Sequence, residues 1–211
     1  MKRLIIIGAR GFGREVYNLA LDCKIENEVF SIKGFLDDKS DVLLGYNNYP
    51  PIISSVENYE VQPDDVFACA LGDVNAKIKY IDLILKKGGK FISLIHPSVQ
   101  IGLNTQIGNG CIIRTTASIS CDVSIGSFVT IMGYSILGHD VKIGDYCHLG
   151  AYSFLGGFSQ LKENVTLHPG AKILPHKIVK KNAIVGAGSV VLKNVNENTT
   201  VFGIPAKKIE L

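Results

Sequence analysis

The sequence has no long hydrophobic run. No stretch of its 211 residues approaches the roughly 20 apolar residues that a membrane-spanning helix requires, so we expect no such span. The first residues, Met1 to Gly8, are basic and then apolar, as in a secretory signal. Their apolar run, Leu4–Ile7, is too short for the hydrophobic region of a signal peptide and is better explained as a buried strand. We therefore expect a cytoplasmic protein.

The sequence also has little net charge and no paired cysteine motif. A formal net charge of +3, with Lys and Arg scattered along the chain, does not favour a nucleic-acid partner. The five cysteines form no Cys-x-x-Cys pair, and two of them, Cys111 and Cys147, fall at small inward places of the repeat described next. We expect buried free thiols in a reducing compartment.

A strict six-residue period extends from Ile95 to Asn196. Steps of six from Ile95 to Val191 meet an aliphatic residue at each of seventeen positions. Four places after each aliphatic comes a small or β-branched residue, with Lys177 as the exception. Glycine often follows the aliphatic directly, as at Gly102, Gly108, Gly126, Gly138, Gly144, Gly150, Gly156 and Gly186.

This period predicts a left-handed parallel β-helix. A helix of 3.6 residues per turn does not match a repeat of six, whereas a short strand plus a corner does. Three such units close a triangular coil of about eighteen residues, and coils stack at about the 4.8 Å spacing of neighbouring strands. The aliphatics then point inward through nearly six coils. We expect the glycines to supply backbone angles at the corners that other residues resist.

The part of the chain before the repeat predicts a small α/β domain with a nucleotide site. The strand Leu4–Ile7 is followed by a glycine turn containing Gly11, Phe12 and Gly13, and by an apolar helical pattern over 14–24. A strand, a glycine turn and a helix start bring free N–H groups to a phosphate. The glycine pattern alone is a weak signal, but its place after a strand strengthens it.

Acidic residues after the next two strands support this prediction. Asp37 and Asp38 follow a second strand and are placed to bind a ribose or a base, although they could also simply open a turn. Gly72 and Asp73 follow a strand over 66–71, and Asp73 is a natural N-cap for the next helix. We predict a Rossmann-like domain over 1–92, the β-helix over 93–196 and a tail over 197–211.

Histidines in the repeat are the candidates for chemistry. His139 precedes Asp140, and a histidine beside a carboxylate suits general-base work because an unperturbed imidazole titrates at about pH 6.5. His148 lies half a coil later, so the two imidazoles belong to different sides of one prism. They cannot readily serve one site within a monomer but could meet across subunits. The alternative for each of these two histidines is that it lies on the surface and has no function. The repeat has no His-x-x-x-x-His pair, so we predict no metal site.

With these motifs together, the chain resembles the sugar acetyltransferases of the sialic-acid O-acetyltransferase and bacillosamine N-acetyltransferase type. The resemblance covers essentially the whole length. It is based on the first glycine turn, the Phe35-Leu36-Asp37-Asp38 segment, Gly72-Asp73, Gly138-His139-Asp140 in the β-helix, and the terminal Gly203-Ile204-Pro205-Ala206-Lys207.

The resemblance implies a homotrimer with acetyl-CoA in the groove between neighbouring β-helices. The family's catalytic base matches His139, with Asp140 as its orienting partner. The family's second histidine, near the thioester, matches His148. Backbone near Gly157 and Ala187 would lie along the cofactor.

The resemblance also implies that the N-terminal domain holds the nucleotide of a nucleotide-linked sugar. Positions matching Gly11, Gly13, Asp37 and Asp38 would bind it. Family members that use nucleotide amino sugars often have His where this chain has Phe12, which leaves the sugar open.

These observations predict an acetyl-CoA-dependent N-acetyltransferase acting on a nucleotide-linked amino sugar in surface-glycan synthesis. An O-acetyltransferase of sialic acid or a related sugar is the close alternative. A non-catalytic trimeric scaffold that binds a nucleotide sugar, and a zinc hydratase of the same fold, are further alternatives.

Overall fold

The structure, a computed structural model, describes residues 1–26 and 30–210 and divides into two compact units, Met1–Pro97 and Ser98–Leu211. The first unit is a parallel five-stranded sheet with two helices, in the strand order β3-β2-β1-β4-β5. Its elements are β1 (Lys2–Ile7), α1 (Gly11–Glu26), β2 (Phe30–Leu36), β3 (Ile52–Ser54), β4 (Asp65–Cys69), α2 (Val74–Lys86), β5 (Lys90–Phe91) and β6 (Leu94–Ile95). No helix in the described ranges has the length and apolar character to cross a membrane.

The buried runs of this unit explain its sheet. Leu4–Ile7 in β1 and all of β4 are buried, as expected for central strands of a parallel sheet covered on both faces. Helix α1 buries Val16, Leu19 and Ala20 on one side and begins at Gly11, three residues before the predicted start. Strand β3, a three-residue edge strand next to proline, was not predicted from the sequence.

Two side chains fix the ends of elements in the first unit. Asp73 is the N-cap of α2, as predicted, and its carboxylate accepts a hydrogen bond of 2.7 Å from the Ala76 N–H. At the start of β4, the buried Asp65 carboxylate accepts hydrogen bonds from the Tyr59 hydroxyl and the Gln62 N–H at 2.5 and 2.9 Å. Arg3 and Lys33 supply positive charge to the same carboxylate.

The second unit is the predicted left-handed β-helix, with strands on three faces; those from β7 to β22 have two residues each and pair in parallel. Face one contains β7 (Gln100–Ile101), β10 (Ser118–Ile119), β13 (Ile136–Leu137), β16 (Phe154–Leu155), β19 (Lys172–Ile173) and β22 (Val190–Val191). Face two contains β8 (Gln106–Ile107), β11 (Ser124–Ile125), β14 (Lys142–Ile143), β17 (Gln160–Leu161) and β20 (Ile178–Val179). Face three of this unit contains β9 (Ile112–Ile113), β12 (Thr130–Ile131), β15 (His148–Leu149), β18 (Thr166–Leu167), β21 (Ile184–Val185), β23 (Thr200–Phe202) and β24 (Lys207–Lys208).

The aliphatic ladder forms the core of the prism. Leu137, Leu155 and Ile173 lie opposite one another in successive coils of face one and are all essentially unexposed. Burial of each such side chain stabilises the fold by about 2 kcal/mol. Ile101 is 46% exposed, because β7 is the terminal strand of its face.

The glycines after the aliphatics have a different role from the one predicted. None of the eight has a positive φ; the left-handed residues lie two places further on, as at Asn104 and Asp140. A Cβ added at Gly102 would lie 2.5 Å from the backbone nitrogen of Cys121 in the next coil. Glycine is needed there because coils approach too closely for a side chain. The prediction of special corner angles at these glycines was therefore wrong.

The residues after Asn196 close the end of the prism. Strand β23 pairs in parallel with β21 and then turns back in an antiparallel pair with β24. The Gly203 N–H donates to the Ser189 hydroxyl at 3.0 Å, and the Ala206 N–H donates to the Val190 carbonyl at 2.8 Å. The Gly-Ile-Pro-Ala-Lys segment is thus attached to the last coil by its backbone.

Candidate functional site

A cavity of about 400 Å³ opens at the carboxyl edge of the parallel sheet in the first unit. Its position after β1, β2 and β4 is the usual ligand position in an open α/β sheet. The floor is apolar and the rim is charged. The lining residues are Ile7, Gly8, Arg10, Phe12, Leu36, Asp37, Asp38, Lys39, Val56, Ala70, Leu71, Gly72 and Tyr80.

The glycine turn lies at this cavity, which Gly8, Arg10 and Phe12 line. A Cβ added at Gly13 would lie 2.0 Å from the Gly8 carbonyl oxygen, so only glycine allows α1 to start this close to β1. Gly11 has open space around it, and Phe12 lines the cavity. The positive end of a sixteen-residue helix therefore faces the cavity, next to the Arg10 guanidinium.

Asp37 connects the glycine turn to the end of β2. Its carboxylate accepts hydrogen bonds from the backbone N–H groups of Ala9 and Lys39, both at 3.0 Å. The carboxylate thus fixes the loop that would hold a phosphate. A carboxylate oxygen has a second lone pair, so these two bonds are compatible with the predicted ligand contact.

Asp38 and Tyr80 form a polar pair on the rim. The Tyr80 hydroxyl donates to the Asp38 carboxylate, and this hydrogen bond is the main cause that raises the pKa of Tyr80 to about 12. Tyr80 therefore stays a neutral donor at physiological pH. Sequence reasoning missed Tyr80, because it lies on α2, 42 residues from Asp38. Gly72 lines the same cavity, whereas the Asp73 carboxylate caps α2.

In the second unit, His139 and Asp140 lie at the corner between face one and face two. The His139 Nδ1–H donates to the Asp140 carboxylate at 2.9 Å. Asp140 has a left-handed backbone with a φ of 58°, as does Asp122 at the same place one coil earlier. With Nδ1 protonated, Nε2 has a free lone pair and can accept a proton.

One coil further along the same corner, Gly157 makes room for this imidazole. A Cβ added at Gly157 would lie 2.7 Å from His139 Nε2. The basic nitrogen of His139 therefore lies directly beside the backbone of Gly157. The predicted base and one of the predicted cofactor contacts are thus brought together within one chain.

Two aromatic rings extend the same corner. The Phe158 ring meets the His139 imidazole edge to face, with centroids 5.2 Å apart and an interplanar angle of 88°. The His176 imidazole stacks on Phe158 at 5.0 Å and 6°. Asp140, Phe158 and His176 also line a groove of about 380 Å³ on face two, together with Lys142, Gln160 and Ile178. Sequence analysis did not single out Phe158, although its spacing of eighteen from Asp140 pointed to this corner.

A second carboxylate lies one coil before Asp140. Asp122 accepts a hydrogen bond from the Asn104 amide at 2.9 Å. This bond is the largest of the effects that hold the pKa of Asp122 below its usual range, and a favourable interaction with His139 adds to it. The corner is therefore anionic around the imidazole.

His148 and Ala187 lie elsewhere on the prism. His148 belongs to β15 on face three, and Ala187 is exposed at the corner between face three and face one. The prediction that His139 and His148 lie on different sides of one prism is confirmed. Within one chain, the three predicted cofactor positions, His148, Gly157 and Ala187, do not form a single site. In the described part of the chain, no group of three or more His, Cys, Asp or Glu residues is arranged to hold a metal ion.

Two family models match the chain, one for each part of it. The model described as PglD N-terminal domain matches residues 3–84, and the model described as GMPPB C-terminal domain matches residues 90–190. Among curated proteins, the serine acetyltransferase of Buchnera aphidicola (subspecies Schizaphis graminum) is 50% identical over 50 residues. That match covers 24% of this chain and 19% of the relative, so it spans only about a fifth of the relative's length.

Solved structures match over the full length. PerB from Caulobacter crescentus, solved in complex with CoA and GDP-perosamine, is 25% identical with a TM-score of 0.89. That match covers 100% of this chain and 98% of PerB. The acetyltransferase domain of PglB from Neisseria gonorrhoeae, solved with acetyl coenzyme A, is 25% identical with a TM-score of 0.88, covering 99% of each chain.

Proposed function

We propose that the chain transfers the acetyl group of acetyl-CoA to a nucleotide-linked amino sugar; its likeness to the PglD N-terminal domain model and, over its full length, to PerB and the acetyltransferase domain of PglB supports this. The observation that supports this most directly is the His139 imidazole. Its Nδ1 is bonded to Asp140 and its Nε2 lies beside the Gly157 backbone. A neutral imidazole held in one tautomer is what direct transfer to an amine requires.

In this proposal, His139 is the general base. The acceptor nitrogen attacks the thioester carbonyl carbon while Nε2 takes the proton that the nitrogen loses. The C–S bond then breaks, and the imidazolium returns the proton to the CoA sulfur. Asp140 keeps the tautomer and stabilises the imidazolium. The acceptor is the nucleophile, so the chain forms no acyl-enzyme.

The cavity of the first unit supports a nucleotide on the acceptor. Its apolar floor suits a nucleotide base, and the N-terminus of α1 suits a phosphate. The cations Arg10 and Lys39 suit a second phosphate. The full-length relative PerB is bound to GDP-perosamine, which is a nucleotide-linked amino sugar by name. N-acetylation is therefore favoured over O-acetylation of a free sugar. Surface-glycan synthesis in the cytoplasm is the setting we propose.

The separation of His148 from His139 supports a homotrimer. If three parallel prisms associate side by side, face three of one chain can approach the His139 corner of a neighbour. His148, Gly157 and Ala187 would then line one acetyl-CoA groove made by two chains. This arrangement would place three equivalent sites in each oligomer.

The test is CoA release from acetyl-CoA, followed with a thiol reagent, over a panel of acceptors. The panel contains UDP-, dTDP- and GDP-linked amino sugars and free sialic acid, each run with the native protein and with His139→Ala. We expect release with one nucleotide amino sugar and a loss of about 100- to 10,000-fold in the variant. Release with sialic acid alone would support O-acetylation instead. Failure to bind acetyl-CoA would contradict the enzyme proposal and leave the scaffold alternative.

A further inference from the structure

The corner between face one and face two has a column of left-handed residues spaced eighteen apart. We call Asn104, Asp122, Asp140, Phe158 and His176 the corner column; their φ values lie between 58° and 62°. Because coils stack at about 4.8 Å, each member lies next to the one before it. Asp140 and Phe158 are the two members that contact the His139 ring.

The His139 imidazole needs more than its bond to Asp140 to stay in place. Its side chain is 55% exposed, and the 2.9 Å hydrogen bond that it donates to the adjacent Asp140 leaves the ring free to swing outward. The Phe158 ring stands perpendicular to the imidazole and contacts it, which restricts that motion. The stack of His176 on Phe158 in turn limits the rotation of the Phe158 ring.

We propose that Phe158 is a positioning residue that holds the His139 imidazole over Gly157, and that His176 holds Phe158. This inference depends on the proposed acetyl transfer through His139. Phe158 does not exchange protons and acts only through His139. His176 serves as the planar ring that completes the stack, and a ring without a titratable nitrogen should replace it.

Stacked rings are also found at another corner of this prism, and they provide a control. Tyr134 and Tyr152 stack at 5.1 Å and 7°, with exposures of 52% and 62%, similar to the 46% of Phe158. That stack lies between face three and face one, away from His139. Tyr134 is about three coils before Ala187 at this corner, so loss of its ring should affect stability and leave kcat unchanged.

The kinetic test compares Phe158→Leu with Tyr134→Leu under saturating acetyl-CoA. We expect Phe158→Leu to lower kcat by about 10- to 100-fold, since a displacement of about 1 Å at a reacting group costs this much, with both KM values nearly unchanged. Phe158→Tyr and His176→Phe each keep an aromatic ring, so they should retain kcat within about threefold. His176→Ala removes the ring and should lower kcat by about threefold to tenfold. A kcat for Phe158→Leu equal to that of Tyr134→Leu would overturn the proposal.

A second measurement does not require activity. In protein labelled with ¹⁵N-histidine, the signals of His139, assigned with His139→Gln, report which ring nitrogen is protonated. We expect the Nδ1–H form in the native protein and in Tyr134→Leu, and a mixture of the two forms in Phe158→Leu. An unchanged tautomer in Phe158→Leu would overturn the proposal even if no acceptor in the panel is acetylated. Absence of acetylation in the native protein would count against the proposed function alone.

Discussion

At the scale of single residues, the proposed chemistry depends on where His139 is held. Three neighbours contact or crowd it from different directions: Asp140 at Nδ1, Gly157 at Nε2 and Phe158 at the ring. Each of these contacts can be removed by one substitution without touching the aliphatic core. The residue scale is therefore where the proposed mechanism can be tested most directly.

Asp140→Asn removes the negative charge of this side chain and keeps nearly the same shape. An asparagine cannot stabilise the imidazolium, and its amide can donate to Nδ1 and so favour the wrong tautomer. We expect kcat to fall by about 100-fold or more. The measurement is steady-state CoA release at saturating substrates, with thermal unfolding to show that the fold is intact. Native-like kcat would mean that Asp140 does not orient His139.

Gly157→Ala should displace the base without changing any chemical group in the site. The added methyl would lie 2.7 Å from Nε2, closer than real contacts allow, so the imidazole must move. We expect a loss of kcat of at least about 10-fold. Gly133→Ala is the matched control, since Gly133 occupies the same place in its hexapeptide as His139 and its added Cβ would be no closer than 3.1 Å to a neighbour. Equal kcat values for the two variants would contradict the position of Nε2 beside Gly157.

At the scale of elements, the carboxyl ends of β1 and β2 are connected by one side chain. Asp37→Ala removes both hydrogen bonds of its carboxylate, to Ala9 and to Lys39, and frees the glycine turn. We expect the Kd of the nucleoside diphosphate of the acceptor to rise about 10-fold, because the loss of a charge-assisted bond costs about 1.5 kcal/mol or more. Titration calorimetry with the nucleotide alone would measure this. Asp41→Ala, on the same loop, should bind as the native protein does.

At the opposite, amino edge of the sheet, we expect Asp65 to determine how the free energy of unfolding changes at low pH. Burial alone would raise the pKa of Asp65, but the hydrogen bonds from Tyr59 and Gln62 and the charges of Lys33 and Arg3 outweigh it and hold the pKa below its usual range. A lowered folded-state pKa contributes stability above the unfolded pKa of about 3.9, and that stability is lost as pH falls further, through the folded-state value. Asp65→Asn should therefore lower the free energy of unfolding by about 3 kcal/mol at pH 7.

Denaturant unfolding between pH 2 and 7 would measure this effect. The difference between native protein and Asp65→Asn should shrink once the pH is below about 4. The exposed neighbour Asp64 provides the control, and Asp64→Asn should change the free energy of unfolding by less than about 0.5 kcal/mol. A difference that stays constant with pH would show that the carboxylate charge is not what stabilises β4.

The sequence predicts an element well where the contacts of that element repeat at a fixed spacing, and poorly where they do not. The inward aliphatics repeat every six residues and therefore predicted the register of every strand from β7 to β22. Asp73 was correctly predicted as an N-cap from local pattern alone. Tyr80 was missed because its hydrogen bond to Asp38 joins residues 42 apart with no pattern between them. The role of the corner glycines was misjudged because close approach between coils is visible only in three dimensions.

At the scale of the whole molecule, the two units supply different parts of one proposed reaction. The first has the concave, charged cavity that suits a nucleotide, and the second has the His139 corner and a more open groove. Among the described residues of the second unit, the predicted cofactor contacts His148, Gly157 and Ala187 do not share one corner or face of a single chain. The position of His148 on face three is the clearest sign of this, and it leads to a prediction about the assembly.

Mixing of two inactive variants should restore activity if the site is shared between chains. His139→Ala removes the base from one side of every site, and His148→Ala removes the proposed cofactor contact from the other. In a cyclic trimer that contains both kinds of chain, one interface in three has both native histidines, so random reassociation should recover about a quarter of the native rate. The variants would be mixed, dissociated in mild denaturant and reassembled, with each variant treated alone as the control. If both histidines instead acted within one chain, no mixture would contain a complete site, and the rate would stay at the level of the single variants.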